Sequence, residues 1–255
     1  KSYSEKKLVE NISLGINDKE KIGLIGVNGT GKSTLLKIIA GAQIPDDGTI
    51  TKANKVRIEY LPQNPYYDEN ATVLEQVFKG TCEEDVLDKI NKSYDEKLND
   101  RLLKLQEKMD ALNLWDLESS AKTVLTKLGI KDFNQKVKEL SGGQRKRVSL
   151  ASALITPCEL LILDEPTNHL DNDTIDWLET YLNSFKGSIL MITHDRYFLD
   201  RVTNRILELD KGILYSYEGN YSVFLEKKMN RLQLAESMEA KRQNLLRKEL
   251  AWVRR

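Results

Sequence analysis

Apolar residues along the chain come either in short unbroken runs or in stripes spaced three and four apart. The runs predict strands at Lys21 to Gly26 (KIGLIG), Lys55 to Gln63 (KVRIEYLPQ), Cys158 to Glu165 (CELLILDE) and Gly187 to Asp195 (GSILMITHD). The last two are nearly continuous and end in polar residues, the pattern of central parallel strands covered on both faces. The stripes predict helices. Leu35, Leu36, Ile38 and Ile39 follow Lys32 at helical spacing, and Val148, Ala151, Leu154 and Ile155 do so ahead of Pro157. Leu98, Leu102, Leu105, Met109 and Leu112 form one face within the glycine-poor stretch from Ala71 to Lys138. IPDDGT, Ile44 to Thr49, reads as a turn. Arg205 to Tyr217 reads as a strand pair about a turn at Asp210 to Gly212, and a long helix follows Gly219. Strand-helix-strand units of this kind predict an α/β fold in which ligands bind at the carboxyl ends of the strands. The expected organisation is one domain over residues 1–220, with a helical subdomain at about 71–150, and the start of a helical linker over 221–255.

Composition narrows the function classes. The 255 residues are 40% hydrophobic, enough for a substantial core, and carry 39 basic and 39 acidic side chains, so the whole chain is not an electrostatic nucleic-acid binder. The charge is uneven, however. From Tyr221 to Arg255 there are nine basic and four acidic residues, which makes this tail the place to look for a polyanion. Cys82 and Cys158 lie in no metal-ligand spacing and read as free thiols of a reducing compartment. The amino end is polar, with no leader pattern, and no apolar run approaches the length of a membrane span, so a cytoplasmic protein is expected and any membrane role would come through a partner. The first residue is not Met and the last ones lie in a charged helical run, so the chain reads as an excised piece.

The chemistry concentrates at strand ends. Gly26, Gly31, Lys32 and Ser33 complete the pattern G-x-x-x-x-G-K-[ST], between a predicted strand and a predicted helix. Glycines let successive N–H groups turn toward phosphate oxygens, and the helix amino end adds its partial positive charge. Gly26, Asn28, Gly29, Thr30, Gly31, Lys32, Ser33 and Thr34 are therefore candidate nucleotide-binding residues, with Lys32 neutralising the outer phosphates and Ser33 ligating Mg²⁺. Asp164 ends its strand where it can hold the magnesium shell. Glu165 follows as the candidate to polarise an attacking water. His194, one residue past its strand, can sense a terminal phosphate, and Gln63 can reach magnesium or the water. A second small-residue turn, Ser141, Gly142, Gly143 and Gln144, opens a helix. A single terminal phosphate needs only one such cradle from its own domain, so this second turn is available to a nucleotide bound by another domain.

The ordered set of Gly26 to Ser33, Gln63, LSGGQ at Leu140 to Gln144, LLILDE at Leu160 to Glu165, and His194 resembles an ATP-binding-cassette nucleotide-binding domain. That resemblance implies a P-loop NTPase of ABC type: a mixed central sheet, a helical subdomain and a small antiparallel β subdomain, with ATP and Mg²⁺ as ligands. It also implies that Tyr3 stacks on adenine, that Asp171 belongs to the loop communicating between paired domains, and that Ser141 to Gln144 act in trans. EPTNHLD (Glu165 to Asp171), HDRYFLD (His194 to Asp200) and GNYSVF (Gly219 to Phe224) are similar to the ABC-F branch, in which the first of two cassettes leads into a basic linker helix. The expected partners are then a second cassette, the ribosome and tRNA, and the expected reaction is ATP hydrolysis, weak in the isolated piece. The same residues would also serve a transporter's nucleotide-binding subunit, an ATP-switched DNA-binding or repair module, or a regulatory domain with negligible turnover. The basic tail fits the ABC-F reading and finds no reason in a transporter subunit, though a solvated charged helix that folds against a missing second half would look the same.

Overall fold

The computed structural model describes residues 2–3, 6–7, 12–54, 56–79 and 114–253. The stripe from Leu98 to Leu112, and Cys82, lie outside the described residues. Strands β1 (Ser2–Tyr3) and β2 (Lys6–Lys7) form a separate two-stranded antiparallel sheet. The main sheet contains β3 (Lys21–Gly26), β4 (Ile58–Leu61), β5 (Leu160–Asp164), β6 (Ser188–Ile192), β7 (Arg205–Asp210) and β8 (Ile213–Glu218). Its order is β4-β5-β6-β3-β7-β8, parallel throughout except for the antiparallel edge strand β8. The helices are α1 (Lys32–Ala40), α2 (Val73–Phe78), α3 (Leu114–Lys127), α4 (Gly142–Ile155), α5 (Asn172–Ser184), α6 (Arg196–Val202) and α7 (Tyr221–Val253), with a 3₁₀ turn at Val137–Glu139.

Every residue of β5 and β6 is buried, as their unbroken apolar runs require of central strands. The period of two then divides the side chains between two cores. Leu160 and Ile162 of β5 join Ile22, Leu24, Leu35 and Leu36 in the layer beneath α1, while Leu161 and Leu163 face the layer built from α3, α4, α5 and α6. The result is three layers, helix on sheet on helix, with all the parallel strands ending at one edge. β4 stops at Leu61 rather than at Gln63, because Pro62 has no N–H to continue the ladder. The β7–β8 hairpin turns through Lys211 and Gly212, both at positive φ (48° and 81°), the conformation that matches the twist of a two-residue hairpin.

Helix starts are set by local capping. Thr72 and Glu75 close a reciprocal capping box at α2, and Ser141 and Gln144 do the same at α4. Asp171 caps α5 by accepting from the Thr174 N–H, and Asp195 caps α6 by accepting from the N–H groups of Tyr197 and Phe198. Helix α4 runs on to Ile155, five residues past the expected end of the helical region.

Candidate active site

The phosphate loop begins where β3 runs out of partners. Gly26 sits in register with Leu209 of β7, and a Cβ on it would lie 2.4 Å from the Leu209 carbonyl oxygen, so only glycine lets the chain leave the sheet here. Gly29 (φ 79°) and Gly31 (φ 100°) then bend the loop through left-handed conformations into α1, with Gly31 in the N-cap position. Thr30 ties the bend by donating from Oγ1 to the Val27 carbonyl at 2.8 Å. Lys32, the first residue of α1, folds back into the loop. Its Nζ donates to the carbonyls of Gly26 (2.8 Å) and Val27 (3.1 Å) and approaches Asn28 Oδ1 at 3.5 Å. Burial lowers the Lys32 pKa below the ordinary lysine value, and the nearby Glu165 and Asp164 carboxylates partly oppose that shift. Ser33 and Thr34 complete the first turn of α1.

Two carboxylates face this loop from the end of β5. Asp164, paired in register with Ile192, is 3% exposed; burial raises its pKa, while a hydrogen bond from the Ser33 hydroxyl and the charges of Lys37 and Lys32 hold it down. Glu165 follows at φ 58°, a left-handed conformation unusual for a side chain with a Cβ, and its N–H donates to the Ile192 carbonyl at 2.8 Å. That kink turns the Glu165 side chain away from the strand direction. The side chain is 6% exposed, and Oε1 lies 3.3 Å from Nε2 of the largely exposed His194. Burial raises the Glu165 pKa, and His194 is the largest influence lowering it. The loop beyond is pinned to the end of β6 by a 2.7 Å hydrogen bond between the Thr167 and Thr193 hydroxyls.

Asp164 Oδ2 and Glu165 Oε2 are buried oxygens with no hydrogen-bond partner in the protein. Two adjacent acceptors left in this condition are costly, and together with the glycine cradle and Ser33 they suit a divalent cation shared with phosphate oxygens. No group of three or more histidines, cysteines and carboxylates gathers to hold a metal by itself among the described residues, so a cation here would need phosphate or water oxygens as further ligands. Gln63, Asp164 and Glu165 line a void of about 20 Å³, room for about one water molecule.

The other expected site residues lie elsewhere. Ser141 and Gly142 are exposed, and neither they nor Gly143 and Gln144 line the cavities around the phosphate loop. The Ser141 Oγ accepts from the Gln144 N–H at 3.3 Å, and the Gln144 Oε1 accepts from the Ser141 N–H at 2.9 Å. The Gly142 and Gly143 N–H groups, in the first helical turn, have no intrahelical acceptor. Asp171 is exposed at its cap, its pKa lowered chiefly by hydrogen bonds from Thr174. Tyr3 is in β1, paired with Lys6. Sequence reasoning passed over Thr193, whose signal was its place immediately beyond the end of β6, and Thr167, three residues past the end of β5.

A model of the ABC transporter family matches residues 9–168, and a second ABC transporter model matches residues 207–255. The chain is 53% identical over 267 residues to the uncharacterized ABC transporter ATP-binding protein YfmR of Bacillus subtilis, an alignment covering all of this chain and 42% of that protein. It is 41% identical over 262 residues to the energy-dependent translational throttle protein EttA of Mycobacterium tuberculosis, covering all of this chain and 47% of the relative. Against EttA of Escherichia coli the identity is 39% over 260 residues, covering 98% and 47%. The chain thus spans about half the length of the curated relatives it matches. Among solved structures, the ATP binding subunit of an ABC transporter superposes with a TM-score of 0.65 over 85% of each chain at 22% identity, which bears on the fold alone. The archaeal ribosome recycling factor aABCE1, solved in complex with the ribosomal stalk protein aP1, superposes with a TM-score of 0.56 at 26% identity over 86% of this chain and 37% of that one. With the sheet order, the glycine loop and the carboxylate pair already in place, these matches identify the chain as a member of the ABC transporter family of ATP-binding domains, in its ABC-F branch.

Proposed function

We propose that the chain is an ATP-hydrolysing cassette of a cytoplasmic ABC-F protein that works on the ribosome. The observation that carries the catalytic part is the pair of buried, unpartnered carboxylate oxygens of Asp164 and Glu165 beside the Lys32 loop. The N–H groups of Gly26 to Ser33 cradle the phosphates of ATP, and Lys32 exchanges its carbonyl partners for the outer phosphates. Ser33 and Asp164, with Gln63, would hold Mg²⁺, which supplies charge neutralisation on the phosphate oxygens when bound. Glu165 orients a water and takes its proton as the water oxygen attacks the terminal phosphorus in line, with ADP and phosphate as products. A carboxylate whose pKa is raised by burial is a stronger base than a solvated one, and His194 keeps it ionised and contacts the terminal phosphate. Ser141, Gly142, Gly143, Gln144 and Asp171 serve the site of a second cassette, and Tyr3 stacks on adenine. Residues 1–220 form the cassette and 221–255 the start of the linker.

The ribosomal part is supported by the translational role in the printed name of EttA and by the basic excess after Tyr221, which suits RNA phosphates. No described helix is long and apolar enough to cross a membrane, and nothing in the site favours a transporter subunit or a DNA clamp. The test uses the longer protein carrying Glu165→Gln and the matching change in a second cassette, sedimented with ribosomes with and without ATP. ATP-dependent co-migration supports the reading. Retention on membranes or DNA with no ribosome binding overturns it.

A further inference from the structure

One buried carboxylate has no part in the chemistry above. Glu208 is the fourth residue of β7, its side chain 5% exposed on the sheet face opposite α1. A charge in that position is costly unless paired, and two of its partners come from the long helix α7. Lys228 Nζ donates to Oε1 at 2.5 Å and Arg231 donates to Oε2 at 3.0 Å, while the Tyr217 hydroxyl of β8 donates to Oε2 at 3.1 Å. Lys228 and Arg231 are three residues apart and share one helix face. The Arg231 guanidinium lies 3.8 Å from the Tyr215 ring centroid, and the buried Phe224 packs edge-on against Tyr217 at 5.1 Å. Burial and the Glu208 carboxylate push the Tyr217 pKa up to about 12, so the hydroxyl stays a donor. The base of α7 is therefore seated on the sheet by one carboxylate and an aromatic wedge.

β7 is also the neighbour of β3. Glu208 pairs in register with Ile25, and Leu209 pairs with Gly26, the residue where the phosphate loop leaves the sheet. The Leu209 carbonyl oxygen would lie only 2.4 Å from a Cβ on Gly26, so β7 packs directly against the start of the loop, with no side chain between them. One cavity of about 340 Å³ is lined by Gly26, Lys32 and His194 together with Glu208, Phe224 and Lys228.

We infer that Glu208 is a positioning residue through which the seating of α7 on β7 sets the geometry of the phosphate loop, so that α7 docking and nucleotide affinity at Gly26–Ser33 are coupled. The inference rests on the phosphate-loop reading proposed above. Coupling of this kind is reciprocal: nucleotide tightens α7 by the same factor that α7 docking tightens nucleotide.

The experiment measures MgATP affinity by calorimetry for the parent chain, Glu208→Gln, Arg231→Gln, their combination and Arg231→Lys, with hydrogen exchange followed over residues 221–232. Each single Gln variant is expected to weaken MgATP about fivefold or more, the lower end of ordinary allosteric couplings, and the double variant no further than Glu208→Gln alone, because Arg231 acts through the Glu208 carboxylate. Arg231→Lys, which keeps the charge, is expected to retain the parent affinity. MgATP should slow exchange at the base of α7 in the parent and lose that effect in the Gln variants. Should Glu208→Gln fail to fold, Arg231→Gln and Arg231→Lys decide, since Arg231 sits on the partly exposed face of a helix. A folded Arg231→Gln chain with faster exchange in α7 and parental MgATP affinity overturns the inference. A parent chain that binds no MgATP instead overturns the phosphate-loop reading, and the inference with it.

Discussion

Replacing Gly26 or Gly29 with alanine separates two reasons for a glycine in the same loop. At Gly29 a new methyl meets nothing within 4 Å, and the only penalty is its left-handed φ of 79°, about 1 kcal/mol. At Gly26 the methyl would stand 2.4 Å from the Leu209 carbonyl oxygen and 3.3 Å from Thr30 Oγ1. An ordinary contact needs about 3.4 Å, so the two backbones must part by about 1 Å. The carbonyl cannot rotate aside, because β3 and β7 are registered from Ile22 opposite Arg205 to Gly26 opposite Leu209. Overpacking of this severity costs about 3 kcal/mol, some 2 kcal/mol beyond the Gly29 change. In urea, with a slope of roughly 2–3 kcal/mol per molar for a chain of this size, the Gly26→Ala midpoint should fall about 1 M below the parent and that of Gly29→Ala by less than half as much. MgATP titration of the folded variants should show loss of binding for Gly26→Ala and a smaller weakening for Gly29→Ala. Equal midpoints for the two variants would refute the steric account, since both positions have positive φ (156° and 79°) and only Gly26 adds close contacts, with Leu209 and Thr30.

Glu165→Gln is expected to lower phosphate release by about 10²–10⁴-fold, the worth of a general base, while calorimetry finds MgATP binding preserved; parental turnover in this variant excludes Glu165 as the base. Because burial raises the Glu165 pKa and His194 opposes the rise, His194→Gln should raise it further and move the acid limb of the pH–rate profile to higher pH; an unmoved limb argues that another group sets it. Ser141→Ala removes one arm of a capping box and should cost about 1 kcal/mol in urea unfolding whatever its role toward a second cassette. In β4, burial pushes Glu59 up to about 7 from 4.5, so the folded chain takes up a proton between those values, and its contribution is favourable in acid and lost as pH rises through 7. Glu59→Gln should therefore stabilise the chain at pH 8 by about 1–2 kcal/mol after discounting for partial exposure, with the gain shrinking toward pH 5.

What could be read from the sequence was whatever depends on neighbours in the chain. β3, β5 and β6 were legible because strands covered on both faces need unbroken apolar runs, and the phosphate loop because its glycines, Lys32 and Ser33 act within one turn. Asp164 and Glu165 were legible as a pair at a strand end. The kink that turns Glu165 aside was not, since its φ is imposed by the hydrogen bond to Ile192, 27 residues away in sequence. The reciprocal cap of Ser141 and Gln144 follows the S-x-x-Q spacing, so the start of α4 was legible as well. Glu208 gave no signal at all. Its cations lie 20 and 23 residues on in another element, and only the docking of α7 brings them together.

Helix α7 runs from Tyr221 to Val253, about 48 Å at 1.5 Å per residue, yet among the described side chains the last of its ion pairs to the sheet is at Arg231, about 15 Å along. If the helix stays straight and pivots at Tyr221, a 1 Å movement at Arg231 becomes about 3 Å at Val253. Under the coupling inferred above, α7 is a mechanical lever with its short arm on the strand next to the phosphate loop, so changes too small to alter the cassette's outline are magnified at the far tip.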